Sequence, residues 1–309
     1  MTSNASSQVH RMTISDIKIY SPAKINLSLE ILRKRNDGFH EIKSIVQTVS
    51  LSDIIEISSH ENIEVNVLNA CIPMRENIVV KAAQTLQKFT GCYKGAKITI
   101  NKRIPLAAGL GGGSSNAATV LMALNGLWDL NLPHEQLLSL ASKLGADVPF
   151  FLTGGTAFIE GKGEKVRSIP NSKENWYFIV VPNTQMVDKT RKMYSLLDDA
   201  SLTKGFLTRK LEARLRMGGD LPSELMFNGF YSPSKDAFED LPDFVNILQS
   251  LGAKETHLSG SGPALFCRIA NETVGHAMRT LARHKYQIEG YVVKSVGPIS
   301  TNFAKQNIK

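Results

Sequence analysis

The sequence predicts a two-lobed α+β protein, and three observations carry that expectation. Its 309 residues exceed the usual size of one domain, so two compact lobes sharing a cleft are expected. The stretch Ile17 to Leu32 alternates apolar and polar residues, with Ile25, Leu27, Leu29 and Ile31 in step, which is strand periodicity. Further on, a glycine-rich loop stands between a strand and an amphipathic helix, and strands and helices intermix from there to the end.

Composition narrows the class. Hydrophobic residues at 42% and charged residues at 21% are ordinary for a globular protein. No apolar run has the length to cross a bilayer, and the polar start, Met1 to Ser15, lacks the apolar centre of a secretory signal. A cytoplasmic protein with a flexible tail over residues 1–16 is therefore expected. Cys71, Cys92 and Cys267 are odd in number and widely spaced, without a CxxC pair, which argues against a zinc site and a disulfide framework. Reduced, mostly buried thiols are expected. The 36 Lys+Arg against 28 Asp+Glu, with pI near 9.3, suit either nucleic acid or a small polyanion, and charge alone does not choose.

Taken in order, the first strand carries Pro22 at an edge or break and puts Lys24 and Asn26 on the face opposite its apolar set. On local sequence these two fit a solvent-facing strand face. Arg33 to His40 is basic, turns at Asp37-Gly38, and displays Phe39 and His40. A plain hairpin explains it; so does a site where a ring stacks and a phosphate is held nearby. Ile42 to Ile57 reads as a second strand, and Asn77 to Gly91 as a helix with Asn77 as N-cap and Gly91 as its stop. Lys97 to Ile104 is a strand that delivers the glycine loop.

That loop runs Pro105-Leu-Ala-Ala-Gly-Leu-Gly-Gly-Gly-Ser-Ser115, with its helix expected from about Asn116. Four glycines let backbone N–H groups turn toward one point and a ligand approach closely. The helix start adds free N–H groups and the positive end of its dipole, so the pair forms an anion cradle suited to phosphate. A side chain at Gly112 is expected to block the phosphates. No Lys follows the glycines, as a Walker loop requires, and Ser114 stands where GxGxxG has its third glycine. A flexible linker is the bland alternative, but Ala117, Val120, Leu121, Leu124 and Trp128 recur at helical spacing directly after it.

A helix over about Pro133 to Leu144 stops at Gly145, and Asp147 follows between that stop and Pro149, a proline expected to hold the chain extended before it. A carboxylate in so apolar a run needs a partner if buried, and Lys24 is the long-range partner expected. Thr156 to Glu160 closes the first lobe as a strand. In the second, Trp176 to Pro182 reads as a buried strand, and Thr190 and Tyr194 share a helix face. Ser201 to Asp243 reads as helices and loops, and His257 to Ile269 as a Gly-Ser turn entering a strand. Ser261 there faces phosphates or simply makes a tight turn. A helix around Val274 to His284 and a strand around Tyr291 to Lys294 complete a small α+β lobe.

Five of these segments together resemble the GHMP small-molecule kinases: Ser21-Pro-Ala-Lys-Ile-Asn26, Asp37-Gly-Phe-His40, Pro105 to Asn116, Gly145-Ala-Asp-Val-Pro-Phe150 and Leu258-Ser-Gly-Ser-Gly-Pro263. The resemblance covers nearly the whole chain from Ile17, and its first two motifs point to the branch that phosphorylates a cytidine diphosphate-linked methylerythritol. It implies an ATP lobe over 17–160 and a ferredoxin-like, substrate-binding lobe over 161–309. It also implies ATP and Mg²⁺ as cofactors, with no nucleic acid or membrane partner and oligomeric state left open. By the same resemblance, Asp147 is the catalytic base and Lys24 the charge stabiliser. Pro105, Leu106, Ala107, Ala108, Gly109, Leu110, Gly111, Gly112, Gly113, Ser114 and Ser115 hold ATP, with Asn77 and Lys102 near the adenosine. Phe39 and Tyr194 clamp the cytosine, His40 reads its edge, and Asn26 and Thr190 line the acceptor. The metal ligands stay unknown, Ser114 being the one residue considered. The chain departs from the family pattern at Phe39, commonly Tyr, and at Leu106-Ala107, commonly Met-Gly. Ala107 is accordingly expected at negative φ. Other readings are a homoserine or mevalonate type of kinase, and a non-catalytic basic RNA-binding module.

Overall fold

Two long antiparallel strands, β1 (Ile17–Lys34) and β2 (His40–His60), come first among the described residues and turn at Gly38, whose φ is +83°. The structure is a computed structural model and describes residues 17–169, 173–183, 186 and 188–298; the expected tail, 1–16, lies outside them. The β1–β2 register shifts between Pro22 and Ala23, where a residue without an N–H interrupts the ladder, and twice more along the pair.

The free edge of β2 is shared. Its first half pairs with β5 (Thr156–Gly161) and its second with β4 (Gly95–Asn101); β3 (Ile63–Leu68) joins β4 in parallel, and β6 (Lys165–Ser168) joins β5. The first sheet thus continues past residue 160. Helices α1 (Ile78–Thr90), α2 (Gly112–Leu127), α3 (His134–Leu144) and α4 (Val148–Thr153) pack together, with α2 against both β1 and β2. Asn77 caps α1 by accepting from Val79 N, and Gly91 ends it in the left-handed conformation.

The second sheet contains β7 (Trp176–Val180), β8 (His257–Leu258), β9 (Leu265–Ile269) and β10 (Gly290–Lys294) in the order β10-β7-β9-β8, all antiparallel. Fourth, first, third, second is the ferredoxin-like order, with α9 (Glu272–Tyr286) as the second crossover. Between β7 and β8 lie α5 (Lys189–Ser195), α6 (Phe206–Arg216), α7 (Tyr231–Ala237) and α8 (Leu241–Ser250). One core cluster joins Ile25, Leu27, Ile45 and Val49 of the first hairpin to Tyr177, Ile179, Phe266 and Val293 of the second sheet. The opposite side of β1 and β2 supplies Ile19, Leu29, Val46 and Ile57 to the helical core.

Several expectations need correction. β1 is buried on both faces, so Lys24 and Asn26 are interior rather than solvent-facing. Helix α2 starts at Gly112 instead of Asn116, because the last glycines already form its first turn. Its middle is buried all round, from Ser115 to Leu121, since helices and sheet enclose it. Pro149 opens α4 rather than forcing extension: proline suits the first turn of a helix, where its N–H is not needed. Of the cysteines only Cys267 is buried; Cys71 is exposed and Cys92 half-buried. Among the described residues no helix is long and apolar enough to cross a membrane.

Gly275 seats α9 on the second sheet. A Cβ there would fall 2.5 Å from Val292 Cγ1 and 2.6 Å from Ile269 Cδ1. Replacing an exposed helix glycine by alanine stabilises by about 1 kcal/mol, whereas overpacking costs about 1–3 kcal/mol. Packing is the larger effect here. Gly275→Ala is expected to lower the urea midpoint, and a raised midpoint would contradict this close helix–sheet contact.

Candidate active site

A cavity of about 750 Å³ opens between the lobes, lined by the glycine loop, β1, the first hairpin turn, the start of α4, α5 and the loop before β9. The glycine loop enters it in an unusual conformation. Ala107, Gly109 and Gly111 all have positive φ, at 52°, 86° and 71°. For Ala107 this reverses the expectation of negative φ, so its Cβ is carried in a region L-residues disfavour.

Four successive carbonyls of the loop are committed to protein donors. Ala107 O accepts from Lys189 Nζ (2.7 Å), Ala108 O from Ala264 N (2.9 Å), Gly109 O from Ser259 Oγ (3.0 Å) and Leu110 O from Lys24 N (2.9 Å). No carbonyl from 107 to 110 is left to repel an anion. The start of α2 adds the positive end of a 16-residue helix to the same wall. A side chain at Gly109 would strike the backbone of Ser259, so the two lobes meet here at backbone distance. At Gly112, by contrast, a Cβ would meet Ile104 (3.0 Å) and Lys102 Nζ (3.1 Å), beneath the loop.

Beneath the loop lies a buried polar network centred on Asp53 of β2, which is fully buried. Its Oδ1 accepts from Arg103 N and Ile104 N (2.7 and 2.9 Å), and its Oδ2 from Lys102 Nζ (2.5 Å) and Asn116 Nδ2 (2.9 Å). Asn116 in turn accepts from Lys102 and donates to Ser21, which also bonds Ser115 and Thr119. This fixes the entry to the loop and the first turn of α2 relative to both long strands.

Lys24, on β1, is 5% exposed at its side chain; its Nζ donates to Asn26 Oδ1 (2.5 Å) and stands 3.9 Å from Asp147 Oδ2. Asn26 is held by donating to Ser44 Oγ (2.8 Å), which donates to Ser28 O (2.6 Å). Burial pulls the Lys24 ammonium below the ordinary lysine range, and Asp147 opposes that pull. Asp147 itself, at the N-cap position of α4, is 53% exposed and open to the cavity. The pair therefore joins a fixed, desolvated cation to an accessible carboxylate.

At the other end, His40 stacks on Tyr194, with centroids 4.8 Å apart and planes at 16°, and Tyr194 meets Phe230 edge-on. Phe39 is half exposed with Lys162 Nζ 4.5 Å above its ring. One face of Tyr194 is thus given to His40. Burial, assisted by Lys34, lowers the His40 pKa, while burial and Asp147 push Tyr194 up to about 12.

Most expected site residues line this one cavity: Lys24, Asn26, Phe39, His40, Lys102, Asp147, Thr190, Tyr194, Pro105 to Gly109 and Gly111 to Ser114. Leu110 and Ser115 are buried below it, Ser115 against Ser21, and Asn77 is spent on capping α1. Sequence reasoning missed Asp53, whose signal was a carboxylate inside the apolar strand run Leu51 to Ile57. It also missed Asn228, which donates to Leu258 O and Gly260 O, and Lys189; neither had a signal beyond residue type.

Residues 77–155 match the family model described as the GHMP kinases N terminal domain. A 4-diphosphocytidyl-2-C-methyl-D-erythritol kinase from Dehalococcoides mccartyi is 36% identical over 285 residues, covering 92% of this chain and 99% of that one. The same-named protein of Carboxydothermus hydrogenoformans is 40% identical over 256 residues, covering 82% and 88%. A solved 4-(cytidine 5'-diphospho)-2C-methyl-D-erythritol kinase superposes with TM-score 0.78 at 28% identity, over 91% of this chain and all of the other. A homoserine kinase from Cytophaga hutchinsonii, at 18% identity and TM-score 0.68 over 96% and 98%, shares the fold.

Removing one member of the buried ion pair tests the loop's support. Lys102→Met would leave Asp53 buried without its cation, a change that costs about 3–5 kcal/mol. Denaturant unfolding is expected to show a loss of that size. A loss below about 1 kcal/mol, the worth of an exposed pair, would mean that water reaches Asp53.

Proposed function

Because the chain belongs to the 4-diphosphocytidyl-2-C-methyl-D-erythritol kinase family of GHMP kinases, we propose that it transfers the γ-phosphate of ATP to the 2-hydroxyl of 4-diphosphocytidyl-2-C-methyl-D-erythritol. The observation that carries this reading is the Lys24–Asp147 pair at 3.9 Å beside a glycine loop whose carbonyls from 107 to 110 are all taken by protein donors. Phosphoryl transfer asks a protein mainly for positioning and for charge that meets the reacting oxygens. The loop and the start of α2 hold the ATP phosphates. Asp147, exposed to the cavity, takes the proton of the attacking hydroxyl. Lys24, oriented by Asn26, meets the negative charge on the transferred group and holds Asp147 toward the hydroxyl.

Among the described residues no three His, Cys, Asp or Glu side chains gather as a metal site, while Ser114 and Asp147 bring hard oxygen donors to the cavity. That donor set fits Mg²⁺ arriving with ATP, since this ion keeps waters and phosphate oxygens and needs few protein ligands. Ser114 would hold it. When bound, Mg²⁺ neutralises charge on the phosphates.

At the acceptor end the stacking of His40 on Tyr194 supports a modified clamp. The open ring of Phe39 takes the cytosine, and Tyr194 orients His40 by stacking on it rather than serving as a second jaw. A lowered pKa keeps His40 neutral at pH 7, so one ring nitrogen can accept from the base's amino group. The homoserine- and mevalonate-type readings rest on shared fold, and neither uses an exposed ring beside His40. RNA binding without catalysis has no need of Asp147 beside Lys24.

Two experiments test this reading. Asp147→Asn is expected to keep the fold and ATP binding but to lower kcat by about 10²–10⁴-fold, the usual weight of a general base. A folded variant within three-fold of wild type would remove Asp147 from the chemistry. Phe39→Ala is expected to raise the acceptor KM about ten-fold, from a stacking contribution of about 1–3 kcal/mol, and to leave the ATP KM alone. In wild type CDP should compete with the acceptor. Competition with ATP, or an unchanged acceptor KM in the variant, would exclude a cytidine seat at Phe39.

A further inference from the structure

We propose that Lys189 is a positioning residue for the phosphate loop, holding Ala107 in its left-handed turn and tying that turn to the glycine loop of the opposite lobe. The proposal rests on reading the glycine loop as the ATP site. Lys189 Nζ donates to Ala107 O at 2.7 Å and also to Gly262 O, one carbonyl from each lobe. Of the other three carbonyls from 107 to 110, two are held by backbone N–H groups and one by the short Ser259 side chain. The carbonyl of Ala107 alone depends on a long side chain.

Ala107 is also where the backbone most needs holding. Gly109 and Gly111 adopt positive φ without penalty, but an alanine at +52° gives up about 1–2 kcal/mol relative to the right-handed region. A charged donor on its carbonyl is a strong enough bond to offset that. Half-buried at the first turn of α5, Lys189 reaches the loop from the segment that also presents Thr190 and Tyr194 to the cavity. Its ammonium lies within electrostatic reach of Lys24 and Asp147; burial and then Lys24 lower its pKa to about 8, with Asp147 opposing. One side chain thus couples nucleotide loop, opposite lobe and acceptor helix.

The test measures binding of a non-hydrolysable ATP analogue with Mg²⁺, by calorimetry and without acceptor, to wild type, Lys189→Met, Ala107→Gly and the double variant. Lys189→Met is expected to weaken the analogue about ten-fold. In the Ala107→Gly background the same substitution is expected to cost roughly three-fold or less, because glycine holds the turn unaided. Lys189→Met with wild-type analogue affinity would overturn the proposal. Equal losses in both backgrounds would also overturn it, since Lys189 would then act directly on the phosphates and not through Ala107. Failure of wild type to bind the analogue would instead refute the ATP-site reading, so the two failures are distinguishable whatever the acceptor.

Discussion

The buried contact between Asp53 and Lys102 is the constraint on which the rest of the site depends. A glycine loop has no side chains of its own to hold its shape, so its shape must be imposed from outside. Asp53 does this from β2: one carboxylate oxygen grips the two backbone N–H groups at the loop's entry, while the other grips Lys102 and Asn116. Every acceptor position is used, which is the condition under which a buried charge pair is tolerable. Asn116 passes the constraint to Ser21 on β1, three residues before Lys24. The glycine loop and the cation of the proposed reaction are thereby referred to the same pair of strands.

Those strands explain why two lobes make one site. A hairpin exposed on one face would carry Lys24 and Asn26 into water, where a lysine is mobile and its charge screened. Here the second sheet covers the other face of the hairpin, through Tyr177, Ile179 and Phe266 on Ile25 and Leu27, while Gly111 of the loop and Gly260 of the second lobe close over Lys24. The cover is incomplete only at the cavity. Backbone contact between Gly109 and Ser259 closes the remaining seam, so the cavity's walls come from both lobes without a flexible hinge of side chains.

Much of the fold was legible in the sequence because its signals are local. Asn77 and Gly91 bound a helix by capping chemistry, and the alternation in β1 and the glycine stop at Gly145 read correctly for the same reason. The misreadings have a common cause in long-range packing. Alternation announced a strand but not that both of its faces would be covered, so Lys24 and Asn26 were assigned to solvent. Proline at 149 is compatible with an extended chain or a first helical turn, and only the packing of α4 on α2 selects the latter. Within the site, residue types named Lys24, Asp147 and the loop, whereas Lys189, Asn228 and Asp53 act through backbone groups distant in sequence, for which no local pattern exists.

The unequal burial of the central pair suits the opposite tasks proposed for its members. A cation that must stabilise charge in a transition state acts best when already desolvated and fixed, since no reorganisation is then needed. Lys24 meets that condition, with Asn26 and Ser44 setting its direction. A base must instead be reached by the hydroxyl it deprotonates, and Asp147 stands at the mouth of α4 with half its side chain open. At 3.9 Å the two are close enough for Lys24 to keep the carboxylate directed inward, yet not joined by a short hydrogen bond that would occupy its oxygens. Water has access to Asp147 in the cavity, so in the proposed reaction the acceptor and nucleotide must themselves exclude it. That requirement gives the long cytidine diphosphate handle of the proposed acceptor a catalytic purpose: binding far from the reacting hydroxyl fills the cavity and strengthens the field of Lys24 where the phosphate moves.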